Sequence, residues 1–179
     1  MRLACGLLPL VIVLSAMPFV SRAQGGVVIS GIIRDHDSHR PVDKASVLAV
    51  DTLNDTLRVM MHTDRTGRYK IELLYGHIYS IHFSAPAHVN KHVIADLTGA
   101  SRRERTAGYT LELEMSLITP QKGVDYAALE HPVALCRFDK RGKTLAWDED
   151  YAAVQRPRLD ALLIEHEARR KLRHASSKP

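Results

Sequence analysis

Residues 63–84 read TDRTGRYKIELLYGHIYSIHFS, and they hold two strand-like segments that each follow a turn. In the first turn, Gly67 can adopt a positive φ without steric cost. Asp64 can accept hydrogen bonds from the backbone amides that follow it. Gly76 serves the second turn in the same way. The stretch therefore predicts two short β-strands, each introduced by a tight turn.

The same rhythm of strand and turn continues on both sides of this stretch. Residues 109–117 alternate most regularly, with apolar side chains at every second position. Short strands separated by turn signals are typical of sandwiches. We therefore predict a mainly β fold, a seven-stranded antiparallel sandwich with a C-terminal hairpin and helix. The seven predicted strands are Val27–Asp35, Ala45–Asp51, Leu57–Thr63, Tyr69–Leu74, Ile78–Ser84, His92–Asp96 and Tyr109–Leu117.

The character of the chain changes after Pro120. Segments 132–139 and 143–149 flank a short turn and predict a hairpin. A helix is then predicted from about Pro157, because proline suits a first helical turn. Its narrow apolar stripe must pack on the sandwich or the hairpin, with a partner protein as the second choice. That predicted stripe consists of Leu159, Leu162, Leu163 and Glu167, with Ile164 beside it.

The first residues have the features of a secretory signal peptide. An apolar run at 7–16 follows the basic residue Arg2, and small residues precede a cleavage point after Ala23. We therefore expect residues 1–23 to be removed and the product to be periplasmic or secreted, without a transmembrane span. The predicted domains are 24–118 for the sandwich and 119–179 for a C-terminal extension.

Charge and cysteine content limit the possible partners and crosslinks. The formal net charge is +5, and the basic excess collects at 169–178. A solvated helix end explains that run better than contact with an acidic surface or anionic lipid. No nucleic-acid partner is predicted. The chain has two cysteines, and Cys5 lies in the predicted leader, so Cys136 is the one that the mature protein keeps. We therefore expect no internal disulfide, and we expect Cys136 to be buried.

The loop after the first strand offers a candidate metal site. His36 and His39 lie three residues apart, flanked by Asp35 and Asp37. Zinc takes about three or four ligands, so two loop histidines need further ligands from another loop. Copper or nickel could use the same imidazoles. The competing interpretation is a solvated surface turn.

Two aromatic residues form a candidate binding surface. Trp147 and Tyr151 lie close together in the C-terminal extension. Exposed aromatic rings could stack on a sugar or contact a protein. The competing interpretation is that Trp147 anchors the extension to the sandwich.

The order of turn and strand residues resembles that of the carboxypeptidase regulatory-like domain, a transthyretin-like sandwich. The resemblance covers about residues 27–117, and the extension is similar to those on exported proteins of Bacteroidetes-type bacteria. His88 departs from the pattern, since it stands where the family usually has an aromatic residue. The matching positions are Gly31, Ile33, Asp35, Pro41, Ala45, Val47, Thr63, Asp64, Gly67, Tyr69, Gly76 and Tyr79.

The resemblance implies a fold and a compartment more directly than an activity. The chain lacks the Tyr-Arg-Gly-Ser ending of the related 5-hydroxyisourate hydrolases, a G-x-S-x-G elbow and an H-E-x-x-H motif. We therefore predict no enzyme and no cofactor. The predicted function is a non-catalytic accessory or binding module of the cell envelope that contacts protein or glycan. The alternative is a periplasmic metal-binding protein that uses the loop histidines.

Overall fold

A computed structural model describes residues 25–139 and 144–176, so the predicted leader at 1–23 lies outside the described residues. Most of the ordered elements are strands. A short 3-10 helix spans Ala127–Glu130. The other elements are β1 Val27–Asp35, β2 Ser46–Asp51, β3 Arg58–His62, β4 Arg68–Leu73, β5 Ile78–Ser84, β6 Lys91–Asp96, α1 Arg102–Ala107, β7 Tyr109–Glu112, β8 Met115–Leu117, β9 Leu135–Asp139, β10 Thr144–Trp147 and α2 Glu149–Ser176.

The strands form two sheets that are both mixed. The smaller sheet has the order β4-β1-β7, with β8 also beside β1, and the larger has the order β10-β9-β6-β5-β2-β3. β1 pairs antiparallel with β4 but parallel with β7 and β8, and β6 pairs parallel with β9. The predicted antiparallel arrangement is therefore wrong. After β6 the chain crosses through α1 to the other sheet and runs in the same direction as β1.

The predicted number of strands also differs from the structure. The described residues hold ten strands, partly because the predicted strand at 109–117 is split into β7 and β8. At the break, the Leu113 carbonyl accepts a hydrogen bond of 2.7 Å from the Tyr69 hydroxyl on β4. A Cβ at Gly31 would lie 2.0 Å from the same carbonyl oxygen. Glycine is therefore required where β1 passes this break.

The two sheets pack face to face around one apolar core, which gives a mainly β, sandwich-like fold. On β4 the buried residues Tyr69, Ile71 and Leu73 alternate with exposed ones. The Tyr69 ring lies 5.7 Å from the Phe83 ring of β5, in the other sheet. The alternation in the sequence therefore marks the inner face correctly. Cys136 of β9 is also buried, as predicted.

The turn before β4 has the predicted chemistry. Gly67 adopts a φ of +73°, and its amide bonds the Asp64 carbonyl at 2.9 Å. The Asp64 carboxylate accepts hydrogen bonds from the amides of Thr66 at 2.8 Å and Arg68 at 3.0 Å. A Cβ at Gly67 would lie 2.5 Å from the carbonyl oxygen of Ile33.

The C-terminal extension continues the sandwich and covers one end of it. β9 and β10 form the predicted hairpin, and β9 joins the larger sheet beside β6. α2 begins at Glu149, not at the predicted Pro157, because Asp148 caps it by accepting the Tyr151 amide at 3.0 Å. Pro157 lies inside the helix on its exposed side, where water can solvate the carbonyl that loses its partner.

The leucines of the predicted stripe are confirmed, because Leu159, Leu162 and Leu163 pack in the cluster of Ile118 and Leu129. His166, which was not predicted, is also buried. Glu167 is exposed and does not lie on the stripe. Across the described part of the chain, no helix combines the length and apolarity that crossing a membrane requires.

Candidate functional site

Polar side chains gather at the end of the sandwich where β1 ends, β6 begins and α2 crosses. They come from the last residue of β1 and the loop after it, the loop before β6 and the first residue of β6, the segment after β8, and α2. We call this group the end cluster. It consists of Asp35, His36, Asp37, His88, Lys91, Thr119, Tyr126, His166 and Arg170.

Asp35, the last residue of β1, accepts hydrogen bonds from the loop that follows it and from two other segments. Its carboxylate accepts from the Ser38 amide and hydroxyl, both at 2.7 Å, and from Thr119 and His88, both at 3.2 Å. Burial opposes ionisation, but the hydrogen bonds outweigh it and lower the pKa of Asp35 to about 2. Both ring nitrogens of His88 face oxygen acceptors, since Nδ1 lies 2.8 Å from the Pro86 carbonyl. His88 therefore joins the loop before β6 to the end of β1.

Asp37 ties the same loop to α2. His166 is fully buried, with Nε2 3.0 Å from Asp37 Oδ1 and Nδ1 2.9 Å from the Tyr126 hydroxyl. Arg170 Nη1 also lies 3.0 Å from Asp37 Oδ1. The Tyr126 oxygen also accepts the Gln121 amide at 2.9 Å. Because a carboxylate only accepts, His166 donates from Nε2 to Asp37, and each of its ring nitrogens has a partner.

Lys91 points into the sandwich. It stands opposite the buried Phe83 on the paired strand β5, so the two side chains share the inner face. Its Nζ donates to the carbonyl of Ser116 on the other sheet at 2.6 Å. Burial lowers the pKa of Lys91 to about 8, because desolvation disfavours the ammonium.

His36 lies at the same end, between β8 and α2. Its amide bonds the Leu117 carbonyl at 2.7 Å, and its ring meets the His166 ring edge-on at 5.9 Å. Burial, followed by the positive charge of Lys91, lowers the pKa of His36. The imidazole of His36 is therefore neutral at pH 7.

Among the described residues, two side chains of the end cluster lack one kind of partner: Lys91 has no ion pair, and the ring of His36 has no hydrogen bond. Among residues 25–139 and 144–176, no carboxylate forms an ion pair with Lys91. Within the same ranges, no hydrogen bond reaches a ring nitrogen of His36. An ammonium and an imidazole N–H can together bind an anion. The neutral imidazole can also accept a proton.

The structure separates the residues of the predicted metal site. His36 is half-buried, whereas His39 lies on the exposed turn with a φ of +56°. Asp35 and Asp37 belong to two different hydrogen-bond networks. In the described part of the chain, no three His, Cys, Asp or Glu side chains are placed to hold a metal ion. Metal binding by His36 and His39 stays a prediction.

The aromatic pair of the extension is half-buried. Trp147 packs against the main core from β10. The Tyr151 hydroxyl donates to the Pro132 carbonyl at 2.7 Å. A binding surface at Trp147 and Tyr151 stays a prediction.

The sequence analysis did not single out Lys91 or His166, although the sequence carries a signal for each. Lys91 lies two residues before Val93 and four before Ala95, so strand alternation places it on their inner face. His166 follows Leu162 by four residues and Leu163 by three, which is helical spacing for one face. We assigned no position or role to either residue from the sequence.

Comparisons with known proteins give a distant likeness in fold. No protein-family model matches the chain, and no curated protein matches it. It is similar to catechol 1,2-dioxygenase of Acinetobacter sp. ADP1, inhibited by bound mercury, at 13% identity and a TM-score of 0.41, over 59% of this chain and 57% of that one. It is similar to 3-chlorocatechol 1,2-dioxygenase of Rhodococcus opacus 1CP at 11% identity and a TM-score of 0.41, over 58% of this chain and 64% of that one. It is similar to the group B streptococcus pilus 2b backbone protein at 13% identity and a TM-score of 0.36, over 53% of this chain and 41% of that one. The chain thus spans less than two thirds of each protein.

These neighbours correct the functional prediction. Most of the similar structures are dioxygenases, which contradicts a non-catalytic accessory or binding module and contradicts the prediction of no enzyme. Both predictions are withdrawn, since they rested on the absence of familiar motifs. At identities of 13% or less and TM-scores of 0.41 or less, these three proteins pass no activity, ligand or residue role to this chain. Its function must be argued from its own residues.

Proposed function

We propose that the end cluster is a small-molecule site that binds a carboxylate. In this proposal the Lys91 ammonium is the counter-charge, and His36 is the hydrogen-bond donor and proton acceptor beside it. The observation that carries the proposal is the inward-pointing Lys91, with one hydrogen bond and no carboxylate partner among the described residues. A desolvated charge without a counter-ion costs free energy, and an anion from solvent removes that cost.

The available charge favours a monoanion over a phosphate. Lys91 supplies one positive charge, and the guanidinium of Arg170 is already bound to Asp37 at 3.0 Å. Phosphate sites usually offer several charged donors, often from arginine. A carboxylate matches one ammonium and one imidazole N–H. His36, neutral at pH 7, offers one N–H donor and one nitrogen acceptor.

Calorimetric titration with acetate at pH 7 tests this proposal. The wild-type protein is expected to bind acetate, and Lys91→Met to lose at least about tenfold in affinity, equal to roughly 1.4 kcal/mol. Lys70→Met is the matched control, because Lys70 is an exposed lysine on β4. Equal acetate binding by wild type and Lys91→Met, or none by wild type at tens of millimolar acetate, would contradict the proposal.

For the fold and compartment, the proposal is a carboxypeptidase regulatory-like, transthyretin-like sandwich that is exported. In this proposal residues 24–118 are the sandwich domain, 119–179 are an extension whose strands β9 and β10 continue its larger sheet, and 1–23 are removed. The support is the order of the turn and strand residues, including the Asp64–Gly67 turn. Mass spectrometry of the protein from its native host is expected to find Gln24 at the N-terminus, and an intact Met1 would contradict export by this route.

A further inference from the structure

We infer that α2 is part of the carboxylate site, because His166 and Arg170 position His36 by holding Asp37. This inference rests on the proposed function. It assigns His166 and Arg170 as positioning residues, since they contact Asp37 and not the bound carboxylate. The site would then be built from both the sandwich and the C-terminal extension.

The first step is that Asp37 is held from two successive turns of α2. His166 and Arg170 lie four residues apart, and each places a donor 3.0 Å from the same carboxylate oxygen of Asp37. His166 is fully buried although most of α2 is exposed. Its second nitrogen is fixed by Tyr126 at 2.9 Å. A buried, fully satisfied polar network has little freedom to move.

The second step is that fixing Asp37 fixes its neighbour His36. The two residues are adjacent in the chain, and the His36 amide is bound to Leu117 of β8 at 2.7 Å. The ring of His36 rests edge-on against the ring of His166 at 5.9 Å. His36 is therefore held on one side by the sandwich and on the other by α2. Among the described residues no hydrogen bond reaches its ring nitrogens, and Lys91 is near enough for its charge to lower the pKa of His36.

The third step is that α2 has anchoring contacts besides this network. Leu162 packs with Ile118 and Leu129 in an apolar cluster of its own. Tyr151, at the other end of α2, bonds the Pro132 carbonyl. α2 therefore has docking contacts besides the bonds of His166. In this inference the polar network positions the loop.

A pair of variants on α2 separates positioning from docking. His166→Leu replaces the imidazole with an apolar side chain of similar size, and it removes the bonds to Asp37 and Tyr126. Leu162→Ala loosens the apolar contact and leaves the polar network in place. For each variant, acetate affinity is measured by calorimetry, and the His36 ring signals by ¹H–¹³C NMR.

His166→Leu is expected to weaken acetate binding at least about tenfold and to shift or broaden the His36 ring signals, with helix content unchanged by circular dichroism. Leu162→Ala is expected to lower the melting temperature and keep acetate affinity within about twofold of wild type. Wild-type acetate affinity and unchanged His36 signals in His166→Leu would overturn the inference.

Two further outcomes are distinguishable. If wild-type protein does not bind acetate, the proposed function fails, and the positioning role is decided by the His36 signals alone. If His166→Leu does not fold, Asp37→Ala removes the contacts of His166 and Arg170 from the loop side and must give a comparable loss of affinity and a comparable shift. An Asp37→Ala protein with wild-type behaviour would overturn the inference.

Discussion

Lys91→Met is expected to make the protein more stable at pH 7, although it removes a hydrogen bond. Burial lowers the pKa of Lys91 from 10.5 to about 8. At about 1.36 kcal/mol for each pH unit, the ammonium costs the folded state about 3 kcal/mol. The cost is complete below pH 8 and disappears as pH rises from 8 to 10.5, where the folded protein is neutral at Lys91 and the unfolded chain is still charged.

Methionine keeps the length and apolar contacts of the lysine stem but carries no charge. Loss of the bond to Ser116 costs about 1 kcal/mol, because that exposed residue can bond water instead. The net gain is about 2 kcal/mol at pH 7, or an increase of about 4–8 °C in melting temperature. Urea unfolding of wild type and Lys91→Met at pH 7 and pH 10 measures this gain in the free energy of unfolding. The gain should be smaller at pH 10 than at pH 7. A variant less stable than wild type at pH 7, or a difference independent of pH, would refute the reasoning.

Three other predictions test separate parts of the account. Acetate affinity should be constant below about pH 7 and fall by up to about tenfold per pH unit above 8, as Lys91 loses its proton; calorimetry at pH 6 and pH 9.5 measures this, and equal affinities would contradict it. Asp35→Asn should cost about 2 kcal/mol at pH 7, and acid titration of both proteins should show that the difference present above pH 3.8 is lost as pH falls through about 2. Gly67→Ala should destabilise by at least about 2 kcal/mol more than Gly76→Ala in urea unfolding, because both have positive φ but only Gly67 would place a Cβ against a carbonyl; equal losses would contradict this.

The sequence predicts which side chains face the core of the sandwich better than it predicts which strands pair and in which direction. Tyr69, Ile71 and Leu73 alternate with polar residues, and that period alone marks them as core. The parallel pairing of β1 with β7 depends on the crossing through α1, and no local pattern records the direction in which a strand enters a sheet. The start of α2 was missed because Pro157 is a strong helix-start signal that the Asp148 cap overrides.

The candidate site shows a similar division. His36 was recognised from its place in a polar loop, but the partner proposed for it was a metal and not Lys91. Lys91 and His166 are distant from the loop in sequence, and their polarity hides their inward positions. Their meeting depends on long-range packing of β6 and α2 at one end of the sandwich. Sequence periodicity can assign Lys91 to one face of β6 and His166 to one face of α2. It cannot predict that these two faces lie close together in the fold.

The pKa of Lys91 itself tests the central claim most directly. The ¹³Cε signal of Lys91, assigned by its absence in Lys91→Met, can be followed by NMR from pH 6 to pH 11, with and without acetate. The account predicts a pKa near 8 without acetate and a higher value with acetate, because the bound anion stabilises the ammonium. A pKa near the ordinary value of 10.5, unchanged by acetate, would contradict the account.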